Sequence, residues 1–351
     1  MLPSGVFNEK YETDIAILRT KAQWFLLAVG LLLVFTVPLL ASDYWLSWLI
    51  RLVITIVAVL GLHVLTGLCG QFSIGHAAFV GVGAYTVAVL TTRYGLSGWA
   101  CLPLCALAAG LIGLFFGLPC FRLKGFYLAI STLAASFILV WCMGYDGFED
   151  WTGGYNGLSL EPLRLGGIDF RSYGSFYILA ISVAILATFL VKNLQRTSTG
   201  RAFVAIRDNE LAAEVSGINI FRYKMLAFFI GCLLAGLAGW LWAYSQLRVN
   251  PEQFRLYDSI WYFGMLIIGG MGSTTGVFFG AIFLRLLEVL IDEITPVLID
   301  IAPSLATQFH LSMSLILFAV VIIAFLIWEP KGLYYRWEKL KTHYRLHPYS
   351  Y

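Results

Sequence analysis

RTSTGRAFVAIRDNELAAEVSG, from Arg196 to Gly217, is a long polar interruption between two apolar runs, residues 174–191 and 225–245, and this alternation decides the fold. Each run is close to the ~20 residues that a helix needs to cross ~30 Å of hydrocarbon. The stretch is therefore a connection between membrane spans. In and around it Lys192, Arg196, Arg201, Arg207, Arg222 and Lys224 face only Asp208, Glu210 and Glu214, which by the positive-inside rule places it in the cytoplasm. Asp208 is the expected N-cap of a short helix, Leu211, Ala212 and Val215 form an apolar stripe at helical spacing, and Gly217 stands where a left-handed C-cap residue belongs. A helix of about two turns is marginal alone in water. Its stripe needs a surface, supplied by a cytosolic protein or by the bundle and headgroups beside it.

The whole composition agrees with this reading. Hydrophobic residues make up 60% of the 351 and charged residues 12%, against about a quarter charged in soluble domains. The net charge of +3 sits in loops and tails and reports topology, not nucleic-acid binding. Cys69, Cys101, Cys105, Cys120, Cys142 and Cys232 lie in or beside apolar segments without metal-ligand spacing, and read as small buried hydrophobes. No small-residue cleavage site follows the first apolar run, so Trp24 to Leu40 is expected to stay as the first span.

Further spans are expected at 48–67, 74–91, 100–118, 126–143, 174–191, 225–245 and 312–328. Residues 258–291 are apolar but broken by Gly269, Gly270, Gly272 and Gly276, which predicts two short helices joined at GGMGSTTG. That gives about ten transmembrane helices in an all-α polytopic protein. The loop 144–173 and the acidic segment 291–311 belong outside, whereas the loop with Arg122 and Lys124 and the basic tail after Trp328 belong inside. Both termini are thus expected in the cytoplasm. The expected division is a cytoplasmic segment 1–23, a transmembrane domain 24–328 and a cytoplasmic tail 329–351, with no extramembrane stretch long enough for an independent core.

The chemistry that is missing narrows the function. No G-x-x-x-x-G-K-[ST] phosphate loop occurs, nor HExxH, nor G-x-S-x-G. No catalytic constellation is recognisable, and any ATP energy would have to come from a partner. Arg51, Asp258, Arg285, Glu288 and Glu329 are expected toward segment ends, which argues against ion coupling. His63 is read as a helix-packing histidine. His76 lies in LCGQFSIGHAAF, where Gly67, Gly70 and Gly75 loosen the backbone. Such a break can offer a helix N-terminus to a carboxylate, or can merely permit close packing. Gly276 with Gly280, and Ala235 with Gly239, are assigned to packing. TGGYNG, Thr152 to Gly157, is either a ligand loop or an external turn.

Several ordered blocks now carry a resemblance: GLCGQFSIGHAAFVGVGAY at Gly67–Tyr85, FYLAISTLAAS at Phe126–Ser136 and TGGYNGL at Thr152–Leu158. They are followed by GRAFVAIRDNELAAEVSGINIFRYKMLAFFIGCLLAGLAG at Gly200–Gly239 and IGGMGSTTGVFFGA at Ile268–Ala281. Together they resemble the permease subunits of ABC importers for branched-chain amino acids, most closely the M-type permease. By this resemblance the polar loop is the motif that docks into the ATPase. The family's E-A-A-x-x-x-G core corresponds to Leu211, Ala212, Ala213 and Gly217, with leucine in place of glutamate and Glu210 one position earlier; Arg201 and Arg207 flank it.

The resemblance implies as partners a homologous permease subunit, two cytosolic ATPase subunits that carry ATP and Mg, an extracytoplasmic substrate-binding protein and membrane lipid, with no cofactor on this chain and no nucleic acid. It implies the bacterial inner membrane as the location. Leu, Ile and Val are the expected substrates, with urea and short amides as alternatives, and a self-contained carrier or channel as the rival class. Candidate substrate-path residues are Gly70, Gln71, Ser73, His76, Gly269, Gly270 and Ser273, at the two broken-helix regions.

Overall fold

The computed structural model describes residues 21–120, 126–165, 168–301 and 306–346. Most of the expected segment 1–23 and the loop with Arg122 and Lys124 lie outside these residues. The helices are α1 (Lys21–Leu40), α2 (Asp43–Leu62, extended by a π-helical turn His63–Leu68), α3 (His76–Tyr94), α4 (Gly98–Cys120) and α5 (Phe126–Gly144). They continue as α6 (Tyr173–Arg196), α7 (Ser198–Asp208), α8 (Glu210–Val215) and α9 (Ile220–Gln246). The last four are α10 (Leu256–Gly269), α11 (Thr274–Ile301), α12 (Ala306–Trp328) and α13 (Gly332–Leu346).

Seven described helices are long and apolar enough to cross a membrane, or eight if the bent pair α12–α13 is one span. The two short of ten are instructive. α10 has 14 residues, or about 21 Å, less than the hydrocarbon thickness. α3 is enclosed by its neighbours from His76 to Tyr85 and so needs no lipid-facing apolar surface. α1 is the opposite case, with Trp24, Phe25, Leu26, Leu32 and Leu33 all exposed, as suits a helix whose solvent is lipid.

α9 is the axis of the bundle. Its small residues let α3 approach to backbone contact: a Cβ on Gly239 would overlap the Val80 carbonyl, and one on Gly83 would overlap Gly236. Without a hydrophobic force between helices in lipid, such close packing is what drives association. α10 and α11 form the expected hairpin, with Gly269 against Gly276 and Gly280 against the Met265 carbonyl. Its second arm is not short, however. α11 continues to Ile301, so residues 291–301 are helix and not loop.

Strands are few among the described residues. β1 (Leu158–Ser159) pairs with β4 (Arg248–Val249), and β2 (Arg164–Leu165) with β3 (Ile168–Asp169), both antiparallel. TGGYNG feeds β1 through Gly153, Gly154 and Gly157, all at positive φ, a region that favours glycine. Arg248 Nη2 donates to Asn156 O at 3.0 Å. The glycines thus serve a turn that ties this connection to the α9–α10 link.

Candidate functional site

Three local caps build the polar connection between α6 and α9. Thr197 Oγ1 accepts from Gly200 N at 3.2 Å, Asn209 Oδ1 from Ala212 N at 3.1 Å, and Asn219 Oδ1 from Arg222 N at 3.0 Å. Asn209, not Asp208, is therefore the N-cap of α8; Asp208 ends α7. Both are cap types, and α7 claims the first of them because Phe203 and Ile206 bury its apolar side in the bundle. Gly217, at φ +82°, closes α8 in the left-handed conformation expected of it.

α8 turns one face in and one out. Ala213 is buried, and Lys224 Nζ donates to Glu210 Oε1 at 2.5 Å with the ammonium almost fully enclosed. Glu210 therefore anchors α8 to α9. On the other face Leu211 is 70% and Val215 90% exposed, with Ala212 between them. An open groove lined by Glu214, Gly217, Ile218, Asn219, Ile220 and Phe221 runs beside them. Arg201 stays at the surface, its Nη1 donating to Arg196 O at 3.0 Å.

Arg207 reaches inward. Its Nη1 donates to the Gly67 carbonyl at 2.9 Å, within the π-turn of α2, and its Nε donates to Asp208 Oδ1 at 2.9 Å. Its stem lies over Gly70, which has φ +72° and no side chain to obstruct it. A Cβ on Gly67 would strike the Met271 carbonyl, and Gly272 borders the Arg207 guanidinium. The α6–α7 corner joins the same assembly, since Gln195 Nε2 donates to His63 Nε2 at 3.1 Å. Both broken regions therefore converge on α7. The α10–α11 turn is also held from α13, where Gly332 abuts Gly270 and the Tyr334 hydroxyl is in hydrogen-bonding reach of Ser273. Ser273 Oγ also lies 2.7 Å from Thr275 Oγ1.

Gly70 and Gln71 lead away from this end into the bundle. Gln71 is buried, its N donating to Leu65 O at 3.0 Å and its carbonyl accepting from Thr66 Oγ1 at 2.9 Å. The N-terminus of α3 is then enclosed by hydroxyls: Ile74 N donates to Thr132 Oγ1 at 3.1 Å and Ala77 N to Ser259 Oγ at 2.9 Å. His76 Nε2 donates to Ala58 O at 3.0 Å. Ser73 Oγ and His76 Nδ1 are buried without a hydrogen-bond partner among the described residues. Thr132 and Ser259 do not stand out in the sequence, since hydroxyls are common in membrane helices; only their packing assigns them to this helix end.

A further expectation is corrected. Arg285 does not lie toward a segment end: it is the twelfth residue of α11 and of the twenty-residue candidate span Thr274–Glu293. Arg285 Nη1 bonds Glu288 Oε2 at 2.6 Å and Nη2 donates to Thr55 Oγ1 at 2.6 Å, linking α11 to α2. Charge at this depth is tolerated when paired and hydrogen-bonded.

Comparison with known proteins places this architecture. The profile described as "Branched-chain amino acid transport system / permease component" matches residues 44–326. The high-affinity branched-chain amino acid transport system permease protein LivM of Escherichia coli (strain K12) is 32% identical over 337 residues, which cover 89% of this chain and 75% of that protein. The protein of the same name from Salmonella typhimurium is 32% identical over 304 residues, covering 80% and 67%. The autoinducer 2 import system permease protein LsrC of Enterobacter sp. (strain 638) is 31% identical over 236 residues, covering 58% and 65%. No solved structure matches the chain. With a helical bundle able to cross a membrane several times and a profile match over most of its length, this chain belongs to the family of permease components of branched-chain amino acid transport systems.

Proposed function

We propose that this chain is the transmembrane subunit of an ABC importer, moving branched-chain amino acids across the bacterial inner membrane while partner ATPases bind ATP and Mg and hydrolyse the nucleotide. In this reading α3 and α10 complete ten crossings, both termini are cytoplasmic, and a second permease and an extracytoplasmic binding protein complete the importer. The chain itself performs no covalent chemistry.

The observation that carries the reading is the outward face of α8. Leu211 and Val215 are exposed on a helix that is capped at both ends and anchored by the Glu210–Lys224 pair. A short apolar face that is held rigid and left open fits a docking surface for a cytosolic partner. Movement of the ATPases would shift α8 and α7 together. Arg207 would pass that shift to the π-turn and to the α10–α11 turn, switching the path between two discrete arrangements. The Ser73–His76 segment, which carries two buried polar atoms without hydrogen-bond partners among the described residues at the start of α3, is the candidate contact for a substrate carboxylate.

The test is ATP-dependent uptake of radiolabelled leucine in proteoliposomes holding the chain with its partner permease, ATPases and binding protein. A Leu211→Asp, Val215→Asp variant should lose both uptake and ATPase co-purification. Uptake without ATP or partners would establish a self-contained carrier, and intact ATPase binding without leucine uptake would point to another solute.

A further inference from the structure

The C-terminal helix α13 plays no part in the docking surface, yet its sequence is strongly patterned. In GLYYRWEKLKTHYRL, Leu333, Trp337 and Leu340 recur at helical spacing and share a face. Over residues 331–346 five bases, Lys331, Arg336, Lys339, Lys341 and Arg345, stand against one acid, Glu338. Basic helices with an aromatic and aliphatic stripe lie in the plane of a membrane surface.

The packing fixes the depth of that stripe. α12 ends at Trp328, only Glu329–Lys331 separate it from α13, and the two helices are bent by 44°. The Trp337 ring lies 6.0 Å from that of Phe279, and Leu333 packs against the core. Phe279 is five residues beyond Thr274 within the candidate span Thr274–Glu293, or about 7.5 Å along the helix. Trp337 is therefore level with the first turns of that candidate span. It is nonetheless 54% exposed, and Leu340 is 64% exposed.

The cations divide into two groups. Arg336 is engaged by Glu329, whose carboxyl this hydrogen bond holds below the usual carboxylate range, and Lys331 Nζ stands 4.7 Å above the Tyr335 ring. Lys339, whose charge also acts on Glu329 without a hydrogen bond to it, and Lys341 are exposed on either side of Leu340. We propose that α13 is an interfacial helix that binds anionic phospholipid headgroups through Lys339 and Lys341, with Trp337 and Leu340 seated among the first methylenes of the acyl chains. A soluble partner reaches only what projects beyond the headgroups, and Trp337 does not. Gly332 and Tyr334 of the same helix rest on the α10–α11 turn.

The inference rests on α11 and α12 being spans and not on the transported solute, so a failed uptake assay leaves it standing. The purified full chain is placed in nanodiscs of phosphatidylcholine, alone or with phosphatidylglycerol, with acyl chains brominated near the headgroup. The fluorescence difference between wild type and Trp337→Phe should show Trp337 quenched by bromine. Phosphatidylglycerol affinity should fall about fivefold for each of Lys339→Gln and Lys341→Gln, from the ~1 kcal/mol that a basic residue contributes near an anionic surface. The double Lys→Arg variant should retain binding, which separates charge loss from misfolding. An unquenched Trp337, or phosphatidylglycerol binding unchanged in the double Gln variant, would overturn the assignment. Shielding of Trp337 only when an ATPase subunit is added would assign this face to protein instead.

Discussion

Arg207 Nη1 donates to the Gly67 carbonyl at 2.9 Å, so the last turn of α7 is tied directly to the π-turn of α2. π-Turns are uncommon and recur at functional sites. This one leaves backbone carbonyls without their ordinary helical partners, and Arg207 supplies a charged donor to one of them. The same guanidinium borders Gly272, so one side chain spans both broken regions of the bundle.

Arg207→Ala should uncouple the importer without undoing it. A hydrogen bond to a charged group contributes ~1.5–3 kcal/mol, so leucine uptake per ATP hydrolysed should fall about tenfold to a hundredfold, while ATPase co-purification persists. Parallel loss of uptake and ATPase binding would show that Arg207 acts at the docking surface instead.

The Glu210–Lys224 pair should behave as a coupled unit. Lys224→Met alone removes the ammonium that faces a part-buried carboxylate and should destabilise the chain by up to about 3 kcal/mol, at the low end for a buried pair because Glu210 keeps some solvent access. Adding Glu210→Gln should recover much of the loss. A thermal-denaturation double-mutant cycle in detergent measures this, and strictly additive effects would refute the coupling.

Glycines at the α3–α9 crossing should tolerate no side chain. Gly239→Leu would drive a side chain into the Val80 backbone and should abolish monodisperse protein in size-exclusion chromatography. Gly30→Leu, with open space around it, should be silent. Equal behaviour of the two would mean that the close crossing is not what holds the bundle.

The two ends of the bundle should label from opposite sides of the membrane. Cysteine at Met271, in the α10–α11 turn, should react with an impermeant maleimide only from the cytoplasmic side in a cysteine-free background, and cysteine at exposed Tyr155 only from the outside. Labelling of both from one side would break the proposed topology.

Much of this protein is written locally. Long apolar runs define helices in lipid because a backbone without water must bond to itself, and Thr197, Asn209, Asn219 and Gly217 begin or end helices through contacts within a few residues. The glycine breaks at 67–75 and 269–276 were equally legible, as was the apolar stripe of α8.

What the sequence alone could not assign was direction and depth. Glu210, Arg207 and Lys224 read as three loop charges, yet the fold turns the first two toward α9 and α2 and buries the third. Arg285 reads as a segment-end charge, yet it is the twelfth residue of the candidate span Thr274–Glu293, where Thr55 Oγ1 and Glu288 Oε2 accept hydrogen bonds from its guanidinium. Thr132 and Ser259 acquire a role only because α5 and α10 bring their hydroxyls to the first turn of α3. Spans and most caps depend on neighbours in the chain, although the burial of α7 decided between Asp208 and Asn209; the partner of a buried charge comes from a helix many residues away, and only helix packing selects it.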